Sequence, residues 1–255
     1  HLDRLAQRLA AFHAAAEVAR PDSPWATPDV VAGDSLRALE GLAAHGAAAA
    51  DCDILRNWLQ VQAARLRPVW QQRRRAGRVR ECHGDLHLAN AVLLEGAVTA
   101  FDCLEFDPAL RWIDVFSDVA FLVMDLMAHG RGDLAFRFLN GYLDDSGDHA
   151  GLPVLRWYLV YRALVRALVA RIRSGQGGAA GGPDHLADQF ARFVLLPLRH
   201  DHRVSDLQAV RFGSGVEFDA APEGEDIHRF ERRADLFGVD RVGGFDCLLE
   251  DEPAM

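Results

Sequence analysis

Residues 78–102 read Arg78-Val79-Arg80-Glu81-Cys82-His83-Gly84-Asp85-Leu86-His87-Leu88-Ala89-Asn90-Ala91-Val92-Leu93-Leu94-Glu95-Gly96-Ala97-Val98-Thr99-Ala100-Phe101-Asp102. The stretch opens as a short strand, residues 78–82, and passes through a polar loop. It returns as two short apolar runs, 91–94 and 97–101, separated by Glu95-Gly96. Two such runs joined by a two-residue turn containing glycine read as a β-hairpin. Antiparallel neighbours lie about 5 Å apart, so a hairpin brings the residue before its first strand beside the residue after its second. Asn90 and Asp102 therefore fall at one end of the ribbon, with Asp85 in the loop that feeds it. Gly84 gives the backbone freedom beside Asp85.

Outward from this segment the chain is helical. Leu2, Leu5, Leu9 and Phe12 recur at three- and four-residue spacing, which predicts an amphipathic helix over 2–20, ended by Pro21 and Pro24. Further helices are predicted at about 34–48, 51–75, 112–129, 132–144, 151–173 and 184–197. A flexible connector is expected at 174–183, where five of ten residues are glycine. The fold class is α+β, mostly α, with one small β-hairpin. Residues 1–198 read as one domain. From about residue 199 the periodicity degrades, and residues 199–255 read as a poorly ordered or atypical tail. Trp112, Phe116 and Phe121 are expected in the core. Arg73, Arg74 and Arg75 read as a solvated helix end, where cations suit the helix dipole. Arg162 and Arg166, four apart on one face, read as arginines snorkelling from an amphipathic helix.

The balance of 28 basic against 37 acidic residues, net −9, argues against a general nucleic-acid binder, which needs a basic face. The four cysteines form no CxxC pair, so neither a zinc site nor a disulfide framework is expected, and a reducing cytoplasm is the simpler setting. No apolar run is long enough to span a membrane.

Phosphoryl transfer asks a protein for a carboxylate that takes the acceptor hydroxyl's proton, hard oxygen ligands for a divalent cation, and a rigid support. Asp85, Asn90 and Asp102 supply these groups in a workable order. His83-Gly84-Asp85-Leu86-His87-Leu88-Ala89-Asn90 resembles the HGDxxxxN loop of aminoglycoside phosphotransferases and protein-kinase-like enzymes, and Phe101-Asp102 resembles the metal-binding aspartate that follows their short hairpin. Residues 112–121 look like the segment after that aspartate, where an acidic residue supports the loop. Residues 120–126 and 161–167 resemble an uncharacterised bacterial branch, often fused to a C-terminal P-loop ATP-binding domain. The resemblance covers about residues 2–198.

The resemblance implies an ATP-dependent phosphotransferase with Mg²⁺, acting on the hydroxyl of a small molecule. Asp85 would be the catalytic base, and Asn90 and Asp102 the metal ligands at the nucleotide. His83 would structure the loop through the backbone near Asp102. Asp114 and Asp118 would hold the loop or a basic partner. Glu105 is a further candidate near the nucleotide or metal, and Arg162 and Arg166 could meet a phosphate or pair with Asp114 or Asp118, while Asp107 reads as loop solvation and His87 as a loop-packing or substrate-side residue.

The resemblance also implies a small N-terminal lobe carrying a phosphate-binding Lys. Residues 2–75 are helical and the chain contains no Lys, so the sequence reads as the large lobe alone, with weak or no catalysis by itself. The P-loop of the fused branch is not found after residue 198, which leaves a lineage-specific or out-of-frame tail. Two competing readings stand beside this one. Gly84-Asp85-Leu86-His87 also matches the GDxH element of metal-dependent phosphoesterases, in which His83, Asp85, His87 and Asp102 would hold a transition metal. The other is a non-catalytic pseudokinase or binding module.

Overall fold

The hairpin forms where its sequence places it. In the computed structural model, which describes residues 1–94 and 97–176, strand β2 (Ala91–Leu94) pairs antiparallel with β3 (Ala97–Ala100), Ala91 opposite Ala100. A second two-stranded sheet joins β1 (Val79–Glu81) to β4 (Trp112–Asp114), with Val79 opposite Asp114. The helix predicted from residue 112 thus begins three residues late. Asp114 ends β4 and caps helix α5 (Val115–Ala128), its side chain accepting from the Phe116 N–H.

Around the two ribbons stand α1 (Leu2–Ala15), α2 (Pro28–Ala44), α3 (Ala49–Arg75), the single turn α4 (Pro108–Arg111), α6 (Gly132–Ser146) and α7 (Leu152–Gln176). Helix α1 stops before the predicted residue 20 because residues 17–19 run as an edge beside β1. Glu81 donates its N–H to the Glu17 carbonyl, Ala19 donates to the Val79 carbonyl, and Val18 bridges to Arg80. Helix α2 starts earlier than the predicted residue 34. Thr27 caps it by accepting from the Val30 N–H at 3.3 Å, and Pro28 occupies the first turn, where its missing donor costs nothing. Helix α7 continues through residues 174–176, the first three of the predicted connector. The rest of that connector, the predicted helix at 184–197, the tail at 199–255 and the Glu95-Gly96 turn lie outside the described residues.

The core forms where α5 packs between α6 and α7, with α1 against α6 and α2 against α3 and α7. Helix α5 is apolar nearly all round, as a central helix must be. Phe116, Phe121, Leu122 and Met124 are at most 1 % exposed, whereas Trp112 is only partly buried. Asp118 and Asp125 interrupt this apolar helix two turns apart, both buried. The observed fold is α+β and mostly α. No helix among the described residues is long and apolar enough to cross a membrane.

Candidate functional site

The loop from Cys82 to Asn90 lies over α5, and α5 holds it by its backbone. Asp118 accepts the His83 N–H on Oδ2 at 2.8 Å and the Gly84 N–H on Oδ1 at 2.9 Å, and Asp125 accepts the Leu88 N–H at 2.9 Å. Burial raises the Asp118 carboxyl. The hydrogen bond from His13 and the charge of Arg162 outweigh that and hold it below its ordinary value. Asp118 therefore stays an anion and an acceptor. Removing such a carboxylate strands two buried backbone donors, at about 1–3 kcal/mol each.

Arg162 completes the grip from the other side. Its Nη1 donates to the Gly84 carbonyl at 2.9 Å and its Nε to Ser117, while its guanidinium lies 4.6 Å from the Phe121 ring centroid. At 5 % exposure it does not snorkel. The solvent-facing arginine expected here is a buried donor because the loop offers it a carbonyl. Gly84 itself has φ +84°, and a Cβ there would lie 2.7 Å from the Leu110 carbonyl oxygen. Both the turn and the close approach require glycine.

Two histidines then repeat one device. The Nδ1 of His83 accepts the Asp85 N–H at 3.3 Å, so its Nε2 carries the hydrogen and donates to the Phe101 carbonyl at 2.8 Å. This is the expected contact with backbone next to Asp102. The Nδ1 of His87 accepts the Ala89 N–H at 3.2 Å, capping the 3₁₀ turn Leu88–Asn90, and its Nε2 lies 3.5 Å from Asp85 Oδ2. Arg166 Nη1 is 3.4 Å from that Nε2.

Asn90 is buried. Its Nδ2 donates to the Asp85 backbone carbonyl at 2.9 Å and to Asp85 Oδ2 at 3.0 Å, two acceptors that fix which way the amide faces. Burial raises the Asp85 carboxyl, but the hydrogen bond from His87 and the charges of Arg162 and Arg166 leave it below its ordinary value. Asp85 and Asn90 are thus brought into direct contact. Asp102 joins them through the backbone. Phe101 donates its N–H to the Asn90 carbonyl at 3.0 Å, and Leu104 donates to the His83 carbonyl at 3.1 Å. Asp102 lies between these two ties, exposed, at φ +59°. A non-glycine residue held left-handed costs on the order of 1–2 kcal/mol, a strain that clusters at functional sites.

The remaining candidates divide. Glu105 is exposed, and its backbone carbonyl accepts from Arg111. Asp107 is not merely solvated, since it caps α4 by accepting the Ala109 N–H at 2.9 Å. Asp114 lies behind the loop in an ion pair. Arg73 reaches it with Nε at 2.6 Å and Nη2 at 2.8 Å, and meets Asp148 at 3.0 and 2.9 Å. Arg73 is 3 % exposed, which corrects the expectation of a solvated helix end for the first of the three arginines. Its partners lie 41 and 75 residues away, beyond any local pattern. Arg162 likewise spends Nη1 on the loop, at the Gly84 carbonyl, and Arg166 lies beside His87.

The residues not foreseen are Asp125, His13, Arg73 and Asp148, while Asp114 does meet a basic partner. Asp125 carried a signal, a carboxylate in an otherwise apolar helix. His13 did too, falling on the Leu5-Leu9 stripe of α1 where an apolar residue belongs.

Against known proteins, 146 residues of the chain are 38% identical to an uncharacterised protein of Mycobacterium tuberculosis strain H37Rv and to its counterpart in Mycobacterium bovis. The match takes in 55% of this chain and 28% of each mycobacterial protein. The chain therefore spans less than a third of the length of the curated relatives it matches. No family model matches the chain, and no solved structure does.

Proposed function

We propose that the chain is the large lobe of an ATP-dependent phosphotransferase of the aminoglycoside-phosphotransferase and protein-kinase-like kind, moving the γ-phosphoryl group to the hydroxyl of a small molecule. The observation that carries this reading is the direct Asp85–Asn90 contact, in a loop tied at both ends to the segment that presents Asp102.

Asp85 is one-third exposed on a mostly buried loop and ionised, the state a proton acceptor needs. It would accept the acceptor alcohol's hydrogen bond and take its proton as the oxygen attacks. His87 and Asn90 hold its carboxylate from two directions, which fixes the direction of approach. The Asn90 amide nitrogen is committed to Asp85, so its carbonyl oxygen is the atom left to ligate. With the Asp102 carboxylate it makes a hard, all-oxygen donor set, which suits Mg²⁺. Such an ion, bound with ATP, supplies neutralisation of phosphate charge. His83 holds the backbone on which Asp102 is mounted. The Lys-bearing small lobe, the fused P-loop domain and the small hydroxylated acceptor remain proposed partners of this lobe.

The chemistry of His83 supports this reading over the phosphoesterase one. His83 has both ring nitrogens spent, Nδ1 on the Asp85 N–H and Nε2 on the Phe101 carbonyl, so it is not presented as a metal ligand. The test is phosphate transfer from ATP to a panel of hydroxylated acceptors by the protein expressed from its complete gene. Asp85→Ala should lower turnover by about 100-fold or more without altering the thermal transition. Unchanged turnover removes Asp85 from the mechanism.

A further inference from the structure

Behind the loop, three buried side chains from three helices form a line. Tyr142 on α6 meets His13 Nδ1 through its hydroxyl at 2.9 Å, and His13 on α1 meets Asp118 Oδ2 through Nε2 at 3.3 Å. Exposures are 1 %, 3 % and 0 %. Asp118 then takes the His83 and Gly84 amides. Because the carboxylate is only an acceptor, Nε2 of His13 carries the hydrogen. The Tyr142 phenol, kept protonated by burial, donates to the free Nδ1. Every hydrogen in the line has an acceptor, and chains of this kind stiffen one another in a low-dielectric interior.

We infer that Tyr142, His13 and Asp118 are a hydrogen-bonded relay by which α6 and α1 set the position of the His83-Gly84 peptide, making His13 a positioning residue for Asp85. The effect on Asp85 rests on the phosphotransferase reading, but the hold on the loop does not.

One other reading of the same place is a metal site, since ligand atoms of His13, Cys82 and Asp118 lie within 4.8 Å of one another. The bonding favours the relay. Both His13 nitrogens and both Asp118 oxygens have partners already. Burial pushes the Cys82 thiol well up, so it keeps its proton, 3.6 Å from the Ile113 carbonyl. A cation would need the thiolate and would have to displace the Nε2 hydrogen.

Site-resolved amide spectra and exchange on this chain, without nucleotide, test it. Tyr142→Phe keeps the ring and removes only the hydroxyl. It should shift the His83 and Gly84 amide proton resonances and speed their exchange about 3- to 10-fold, and His13→Ala about 10- to 100-fold. The Val160 amide in α7 should keep its rate in Tyr142→Phe. Wild-type shifts and rates at both loop amides in both variants overturn the relay. So does equal acceleration at Val160 in Tyr142→Phe, which reports global loosening. So does stoichiometric zinc in the wild type that His13→Ala loses. In the protein from the complete gene, His13→Ala should lower kcat while leaving KM for ATP unchanged. If Mg²⁺-dependent ATP binding is absent while the exchange results hold, the phosphotransferase reading fails and the relay stands.

Discussion

Asn90 and Asp102 flank adjacent strands of one ribbon, yet they are held in opposite ways. Asn90 is buried, caps nothing itself, and gives both amide hydrogens to Asp85 within a loop gripped by Asp118, Asp125 and Arg162. Asp102 is exposed, sits left-handed, and among the described residues is held by the backbone ties of nearby Phe101 and Leu104. One half of the candidate site is built into the fold, and the other is strained and open to solvent. A site that binds a charged ligand benefits from both. The rigid half sets geometry, and the strained half carries a carboxylate whose charge a cation can offset. The difference predicts that stability depends on the rigid half and not on Asp102.

The largest effect should come from removing the grip on the rigid half. Asp118→Ala strands the His83 and Gly84 amides and the His13 ring, and should cost about 3–5 kcal/mol in urea unfolding. A cost below 1 kcal/mol would mean the loop carries its own conformation. Gly84→Ala should cost somewhat less. It adds about 1–2 kcal/mol for the left-handed backbone and about 1–3 kcal/mol for the overlap with the Leu110 carbonyl. A wild-type transition would show that this turn is not as tight as it stands.

On the strained side the sign should reverse. Asp102→Gly relieves the positive φ and should stabilise the chain by about 0.5–1 kcal/mol while abolishing Mg²⁺-dependent nucleotide binding. Stability lost together with binding would show Asp102 to be structural, and the contrast with Asn90 would disappear.

The smallest effect is on pH. The Asp118 carboxyl is depressed in the folded state, so its contribution is complete above the ordinary value of 3.8 and is lost as pH falls through the lower folded value. Asp118→Asn should therefore flatten the acid limb of the stability curve relative to the wild type. An acid limb of unchanged slope would mean that Asp118 is not the group that titrates there.

How much of this could be read from the residues follows the range of the interactions. Helical periods and the Glu95-Gly96 break are local signals, and they located α1, α3, α6, α7 and the hairpin to within a few residues. The spacing from Asp85 to Asn90 to Asp102 is local as well, and it placed the candidate site. Strand β4 was not legible. Trp112-Ile113-Asp114 continues an apolar pattern into α5, and it is a strand only because β1, some thirty residues earlier in the chain, offers a partner edge. Arg73 departs from its local pattern for the same reason, since three consecutive arginines look solvated until two carboxylates from distant segments close on one of them. Asp125 and His13 could have been found by asking why a polar residue stands on an apolar face.

The most direct test of the central claim is paramagnetic broadening of the amide resonances of this chain by Mn²⁺ in place of Mg²⁺, with and without ATP. A cation shared by Asn90 and Asp102 should give ATP-dependent broadening at residues 85–90 and 101–104 together, lost at both segments in Asp102→Gly. Broadening confined to one of those segments, or centred elsewhere in the chain, would contradict it.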